Sequence, residues 1–159
     1  MKQKTLALWL KIAIVALALI GLAVYAWIIP DMGLTMREAY PEFANRFYPW
    51  LIFLTATAIP CYAILVLGWL IARNIGLDRS FSLANARHLR SVAIASGVVS
   101  LYFFIGNNVL LFLDMSHPGI VLGSLLFVLA GFALTVASAA LSHMVTKAAA
   151  LQEENDLTV

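Results

Sequence analysis

Residues 119–142 read GIVLGSLLFVLAGFALTVASAALS, without a single charged side chain. An α-helix rises about 1.5 Å per residue, so roughly 20 apolar residues cross the ~30 Å hydrocarbon core of a bilayer. Three further uncharged stretches of similar length, residues 12–29, 50–72 and 91–113, precede this one. Water-soluble domains do not carry four such stretches in so short a chain. The sequence therefore predicts an integral membrane protein.

The composition leaves room for one domain. Of the 159 residues, 63% are hydrophobic and 11% are charged. The stretches are apolar on all sides instead of alternating, which favours helices over barrel strands. We predict an all-α, integral membrane four-helix bundle over residues 1–159, with spans at about residues 6–29, 50–72, 91–113 and 119–142. The basic N-terminus also fits a signal peptide, but the apolar run is longer than a usual signal core, and we expect a retained helix.

Basic residues concentrate on one side of the predicted bundle. Of the ten Lys and Arg residues, only Arg37 and Arg46 fall on the other side, among several acidic residues. Lys and Arg accumulate in cytoplasmic connections. We therefore expect both termini in the cytoplasm. The basic residues on that side are Lys2, Lys4, Lys11, Arg73, Arg79, Arg87, Arg90 and Lys147.

The connection between the first two spans is predicted to hold a short outer amphipathic segment. Thr35 and Glu38 fit a capping box, so a helix is predicted to begin at Met36. Pro41 cannot continue that helix without a kink, but it could begin a second one. The segment is interpreted as an interfacial connector, with a lid over a cavity as the alternative. Its apolar face would combine Met36, Tyr40, Phe43 and Phe47.

The connection between the second and third spans is the most patterned polar stretch. Gly76 suits a helix end, and Ser82 can cap a helix that runs from Leu83 into the third span. Its basic residues could anchor the chain to anionic headgroups, or dock a cytoplasmic partner or the acidic tail. The candidate partner surface consists of Arg79, Ser82, Asn85, Arg87, Arg90, Glu153, Glu154 and Asp156. In the third connection, Ser116 or His117 can cap the fourth helix, with Pro118 in its first turn.

Polar residues within the spans form a second candidate site. Asn107 and Asn108 are costly in hydrocarbon unless paired, which predicts either an interhelical hydrogen bond or a ligand pocket. Pro60 is predicted to kink the second span, since it leaves the Ala56 carbonyl without its N–H partner. Such a kink is either static shape or a hinge. The candidate intramembrane site consists of Asn107, Asn108, Thr57 and Pro60.

Small residues predict how the fourth span packs. Gly119 and Gly123 form a Gly-x-x-x-Gly pair, and Gly131 is expected to continue their face. We predict that these glycines pack against another helix of the same chain. The alternative is that the pair mediates a homo-oligomer.

Catalytic and ligand motifs are not found. Cys61 is the only cysteine, and the three histidines have no ligand-like spacing, although His88 and His143 could approach each other in the fold. We expect no enzyme activity, no catalytic residue, no metal, no cofactor and no direct binding of nucleic acid. The spans carry no acidic residue at mid-membrane depth, which argues against ion-coupled transport by a single chain.

Short motifs beside the spans are more specific than the spans themselves. They are Tyr48-Pro49, Ala58-Ile59-Pro60, Ser80-Phe81-Ser82 with Asn85 and Leu89, Pro118-Gly119-Ile120, and the terminal Glu154-Asn155-Asp156-Leu157-Thr158-Val159. With these motifs the chain resembles, over nearly its whole length, the bacterial membrane proteins catalogued as domain of unknown function 2975. The resemblance implies a four-helix protein without established activity or assigned catalytic residues. Members of the family that it resembles are often encoded beside a small helix-turn-helix regulator of the Cro/CI type.

Two functions are therefore considered. The first is a non-enzymatic regulatory or sensory protein of the inner (cytoplasmic) membrane that contacts a cytoplasmic helix-turn-helix transcriptional regulator. The second is a small-molecule or lipid binding protein, or a transport component acting as an oligomer. The first rests on the polar cytoplasmic motifs and the resemblance, the second on the asparagines, Pro60 and the outer segment.

Overall fold

The computed structural model describes residues 3–157. It contains four helices that are long enough and apolar enough to cross a membrane. They are Gln3–Ala39, Ala44–Gly76, Leu83–Phe112 and Pro118–Asn155. The predicted all-helical class with four spans is confirmed. The description leaves out both chain ends and the side chains of Glu42, Phe43, Asp156 and Leu157. The predicted places of Phe43 and Asp156 therefore lie outside it.

The first two membrane helices are each assembled from shorter elements. The first comprises α1 (Gln3–Ala23), a π-helical turn (Val24–Ile28) and α2 (Ile29–Ala39). A 3-10 segment (Pro41–Arg46) leads to the second, which comprises α3 (Phe47–Ala56) and α4 (Ala58–Gly76). The third is α5 (Leu83–Phe112), and the fourth is α6 (Pro118–Leu157).

The predicted helix start at Met36 is wrong. The Thr35 hydroxyl donates to the Asp31 carbonyl at 3.0 Å, inside α2, and so does not cap a helix. Pro30 does not stop the helix, because the π-helical turn before it takes up one extra residue and the Ile29 N–H donates to the Val24 carbonyl. The helix ends at Ala39, ahead of Pro41, which begins the 3-10 segment as a second element.

The second membrane helix is interrupted at Thr57, as Pro60 predicts. The Thr57 N–H donates to the Leu54 carbonyl at 3.1 Å, and regular α4 bonding resumes when the Cys61 N–H donates to the Thr57 carbonyl at 3.2 Å. Pro60 has no N–H to offer Ala56. The interruption therefore reflects the missing N–H of Pro60, which leaves the Ala56 carbonyl without its helical donor.

The predicted starts of α5 and α6 are confirmed. The Ser82 hydroxyl accepts from the Asn85 N–H at 3.3 Å, and α5 runs unbroken from Leu83 to Phe112. The His117 Nδ1 accepts from the Gly119 N–H at 3.1 Å, with Pro118 in the first turn. Because α6 holds 40 residues, it is about 60 Å long, twice the thickness of the hydrocarbon core.

The bundle is held together by contacts of α1 with α4, of α4 with α5, and of α5 with α6. Small residues line the seam between α5 and α6. Ser124 and Ser138 are buried on α6, and Gly131 lies between them at a spacing of two turns. A Cβ on Gly131 would collide with Ser100, so the backbones approach closely there.

The predicted packing face of three glycines is corrected by this seam. Only Gly131 lies against another helix, whereas a Cβ on Gly123 would meet no described atom within 4 Å. A Cβ on Gly119 would meet His117, its own capping residue. The spacing explains the error, because eight residues rotate the helix by more than two full turns and bring Gly131 off the face of Gly123. The alternative role of the Gly119–Gly123 pair in a homo-oligomer stays a prediction.

Aspartates, not glycines, adopt the left-handed conformation that ends two of the helices. Asp78 follows α4 with φ 57°, and Asp114 follows α5 with φ 54°. The Met115 N–H donates to the Leu110 carbonyl at 2.8 Å, and the Arg79 N–H donates to the Asn74 carbonyl at 2.9 Å, as in Schellman motifs. Gly76 serves another purpose, since a Cβ there would lie 3.2 Å from that of Ala7 on α1.

Asp114→Gly is expected to stabilise the protein by about 1 kcal/mol, because glycine adopts positive φ without the steric cost of a Cβ. The measurement is thermal unfolding in detergent. Asp114→Ala is the control, since it removes the charge but keeps the Cβ, and it should give no gain. Equal stabilisation by both variants would mean that charge at the helix end, not backbone conformation, is responsible.

Candidate functional site

One end of the bundle gathers most of the sequence-predicted partner residues. It carries the start of α1, the connection between α4 and α5, and the last turns of α6, and is called the basic end below. Asn85 is 1% exposed at the centre of this end. Its Nδ2 donates to the carbonyls of Ser80 at 3.0 Å and Arg79 at 3.3 Å, and its Oδ1 accepts from Asn74 Nδ2 at 2.8 Å. Asn85 therefore fixes the connection to the ends of two helices.

This burial corrects the predicted role of Asn85 as a partner contact. The side chain has no free surface, because the polar atoms that suggested recognition are all used to hold the chain. Ser82 is half-buried and used as the α5 cap. The exposed members of the predicted surface are Arg79, Arg87, Arg90, Glu153 and Glu154. The positioning role of Asn85 could have been suspected from its place three residues after a capping serine.

An open cleft of about 650 Å³ lies at the basic end, where three parts of the chain meet. The Ser80 hydroxyl donates to Gln3 Oε1 at 2.9 Å, which ties the N-terminal helix to the connection. Phe81 is 60% exposed although it lies on this fixed connection. The cleft is lined by Gln3, Asp78, Arg79, Ser80, Phe81, Ser82, Leu83, Ala149, Gln152 and Glu153.

The cleft combines both signs of charge with apolar surface. Arg79 lies among its lining residues with the acidic Asp78 and Glu153. Leu83, which is 52% exposed, adds aliphatic surface beside Phe81. Within the described residues, no group of three or more His, Cys, Asp or Glu side chains could hold a metal ion. This combination suits recognition of a protein surface by shape and charge.

The predicted intramembrane residues do not form one site. Asn107 is buried, and its Nδ2 donates to the Phe103 carbonyl at 2.8 Å. Asn108 donates in the same way to the Phe104 carbonyl, also at 2.8 Å. Each amide thus donates within α5, and within the described residues neither side chain makes the interhelical hydrogen bond that was one of the two predictions. A helical carbonyl has a second lone pair that accepts from the side chain one turn later, so no partner helix is needed.

Two tyrosines that were not singled out from the sequence hold the helix interruption at Thr57. The Tyr25 hydroxyl, from the π-helical turn, lies 2.8 Å from Thr57 Oγ1. The Tyr102 hydroxyl, from α5, donates at 3.1 Å to the Phe53 carbonyl, which the interruption has deprived of the Thr57 N–H. A hydroxyl-bearing aromatic within an apolar span was the available signal, since a buried hydroxyl needs a partner.

Tyr102→Phe is expected to lower stability by about 1 kcal/mol, because it leaves the Phe53 carbonyl without a donor in a low-dielectric environment. Tyr62→Phe is a matched control, since the Tyr62 hydroxyl donates at 2.9 Å to the Ala18 carbonyl within α1. That carbonyl lies in uninterrupted helix and keeps its backbone partner. Thermal unfolding in detergent compares the two variants. An equal loss in both would contradict the role assigned to the helix interruption.

The comparisons with known proteins agree with this architecture. Over 154 residues the chain is 28% identical to the uncharacterized membrane protein YoaS of Bacillus subtilis (strain 168), and the match covers 96% of each chain. The family described as protein of unknown function DUF2975 matches residues 31–159. No solved structure matches the chain. Since the family match extends over most of the sequence and the described chain has four candidate spans, the protein is a membrane protein that belongs to the DUF2975 family.

Proposed function

We propose that the protein is a non-enzymatic regulatory or sensory protein of the inner (cytoplasmic) membrane that binds a soluble partner at its basic end. The observation that carries the proposal is the cleft of about 650 Å³ between the start of α1, the connection after α4 and the end of α6. In the proposed orientation both termini and this cleft face the cytoplasm. The orientation is supported by the excess of Lys and Arg at the basic end.

The character of the cleft supports a protein partner. Aromatic and arginine side chains are enriched at protein interfaces, and Phe81 and Arg79 are both exposed here. The hydrogen bonds of Asn85 fix the backbone that carries them. A partner would therefore meet a preorganised surface, and little conformational entropy would be lost on binding.

The end of α6 supplies a second wall for the partner. Helix α6 continues well beyond residue 142, where the apolar run ends, and Gln152 and Glu153 reach the cleft as helical residues. We infer that the partner is a helix-turn-helix transcriptional regulator, as the family resemblance implies, and that the membrane protein itself does not touch DNA. The acidic α6 end is unsuited to phosphate, which supports this division of roles.

The experiment is a binding measurement between the full-length protein in detergent and a purified helix-turn-helix regulator of the Cro/CI type. Arg79→Glu is expected to raise the dissociation constant at least about tenfold, because reversing a charge at an interface replaces attraction with repulsion. Arg37→Glu, an equal change at the opposite end, should leave it unchanged. Absence of binding, or equal weakening by both variants, would contradict the proposal.

The alternative of a ligand pocket at the two intramembrane asparagines has no comparable support. Asn107 and Asn108, on which it rested together with Pro60 and the outer segment, each donate a hydrogen bond within α5. Neither asparagine lines the cleft at the basic end.

A further inference from the structure

A shallow groove of about 470 Å³ runs along the outside of the seam between α5 and α6. Its lining combines small residues, among them Gly97 and Ala139, with branched side chains on α5. Two of these branched side chains, Ile94 and Val98, are 59% and 58% exposed. The groove is lined by Arg90, Ala93, Ile94, Gly97, Val98, Leu101, Thr135 and Ala139.

Among the described residues that line the groove, Arg90 alone is charged, and it lies at one end. It is exposed, and within the described residues it forms neither a hydrogen bond nor an ion pair. Arg87, one turn earlier, differs because its Nε donates to the Leu83 carbonyl at 3.4 Å. The Arg90 guanidinium therefore keeps all of its donors for a ligand outside the chain.

The length of the groove matches one leaflet of a bilayer. From Arg90 to Leu101 the α5 helix rises about 16 Å, and half of the hydrocarbon core is about 15 Å. Arg90 directly precedes the uncharged stretch of residues 91–113, which places it at the depth of the headgroups. The groove begins at a cation at the headgroup level and ends near the bilayer centre. Its length therefore fits one lipid acyl chain, with the lipid phosphate beside the cation.

We propose that this groove binds an anionic phospholipid, with one acyl chain against Gly97 and the phosphate on Arg90. A transmembrane helix of a second copy is a poorer fit, because such a helix would continue across the whole bilayer whereas the groove stops at Leu101. The lipid site lies on the outside of the bundle, away from the cleft at the basic end. It therefore holds whether or not a protein partner binds there.

Native mass spectrometry of the full chain in detergent tests this site with added phosphatidylglycerol and, separately, phosphatidylethanolamine. Arg90→Gln is expected to weaken phosphatidylglycerol binding about fivefold and phosphatidylethanolamine binding less, because the ammonium group of phosphatidylethanolamine offsets the charge of its phosphate. Arg73→Gln, at an exposed arginine of α4 at the same end, should alter neither. Gly97→Leu should weaken both lipids, because its side chain would occupy the space of the acyl chain. A Cβ at Gly97 makes only ordinary contact with Thr135, at 3.5 Å, so this variant should fold.

Three results would overturn the site. Equal phosphatidylglycerol binding by Arg90→Gln and the unchanged protein would remove the role of the cation. Equal weakening by Arg90→Gln and Arg73→Gln would indicate general attraction to a basic surface. Disappearance of a dimer from the mass spectrum of Gly97→Leu, with lipid binding retained, would assign the groove to a second copy of the chain.

Discussion

Replacement of Asn85 by alanine should destabilise the protein by about 3 kcal/mol, since three hydrogen bonds disappear together and their partners stay partly buried. The carbonyls of Arg79 and Ser80 and the amide of Asn74 each lose their partner. The connection that carries Phe81 should then exchange its backbone amides faster with solvent. Thermal unfolding in detergent measures the first effect, and hydrogen exchange over residues 77–82 measures the second.

Asn108→Ala is the matched control for this variant. It removes an asparagine of the same helix whose amide donates within α5 only, so the loss should stay below about 1 kcal/mol. Because Asn85 is not exposed, its replacement should weaken partner binding only through disorder of the connection. Unchanged stability and unchanged exchange in Asn85→Ala would show that the connection is held by other contacts.

Gly131→Leu should destabilise the bundle by about 3 kcal/mol, because α5 and α6 cannot keep their close approach around the added side chain. Already a Cβ at this position would collide with the Ser100 hydroxyl. Displacement of that hydroxyl would also break its 2.7 Å bond to the Ser96 carbonyl. Ser96 is itself only 1% exposed, so the seam has little room in which to repack.

Gly123→Leu on the same helix is the control. A Cβ at position 123 would meet no described atom of the chain within 4 Å. Because leucine favours a helix over glycine by up to about 1 kcal/mol, stability should be unchanged or higher. Unfolding in detergent, with the oligomeric state followed by light scattering, compares the two variants. A large loss of stability in Gly123→Leu alone would show that the Gly119–Gly123 pair is the main packing contact.

The four spans and two helix caps were predictable because each depends on local sequence. Lipid excludes charge over a fixed length, and a cap needs a polar side chain such as Ser82 or His117 at one defined position. The continuation of α1 through Pro30 was not predictable in this way. It depends on a π-helical turn, and no residue type of Val24–Ile28 specifies one.

A polar end of the bundle was predictable from the sequence, whereas the roles of its residues were not. Arg79 and Glu153 line the same cleft, as expected for one polar end of the bundle. The roles within that end depend on burial, which a pattern of polar residues does not reveal. Asn85 and Asn107 are both asparagines at a predicted site, yet the first joins two helices and the second bonds within its own.

The most direct test of the account is the side of the membrane on which each end of the bundle lies. Cysteines are introduced singly at Gln3, Arg37 and Glu153 in a Cys61→Ser background and labelled with a membrane-impermeant maleimide. We predict that the cysteine at position 37 reacts in intact spheroplasts, and that those at positions 3 and 153 react only in inside-out vesicles. Labelling of positions 3 and 153 from opposite sides would contradict the four-span bundle itself.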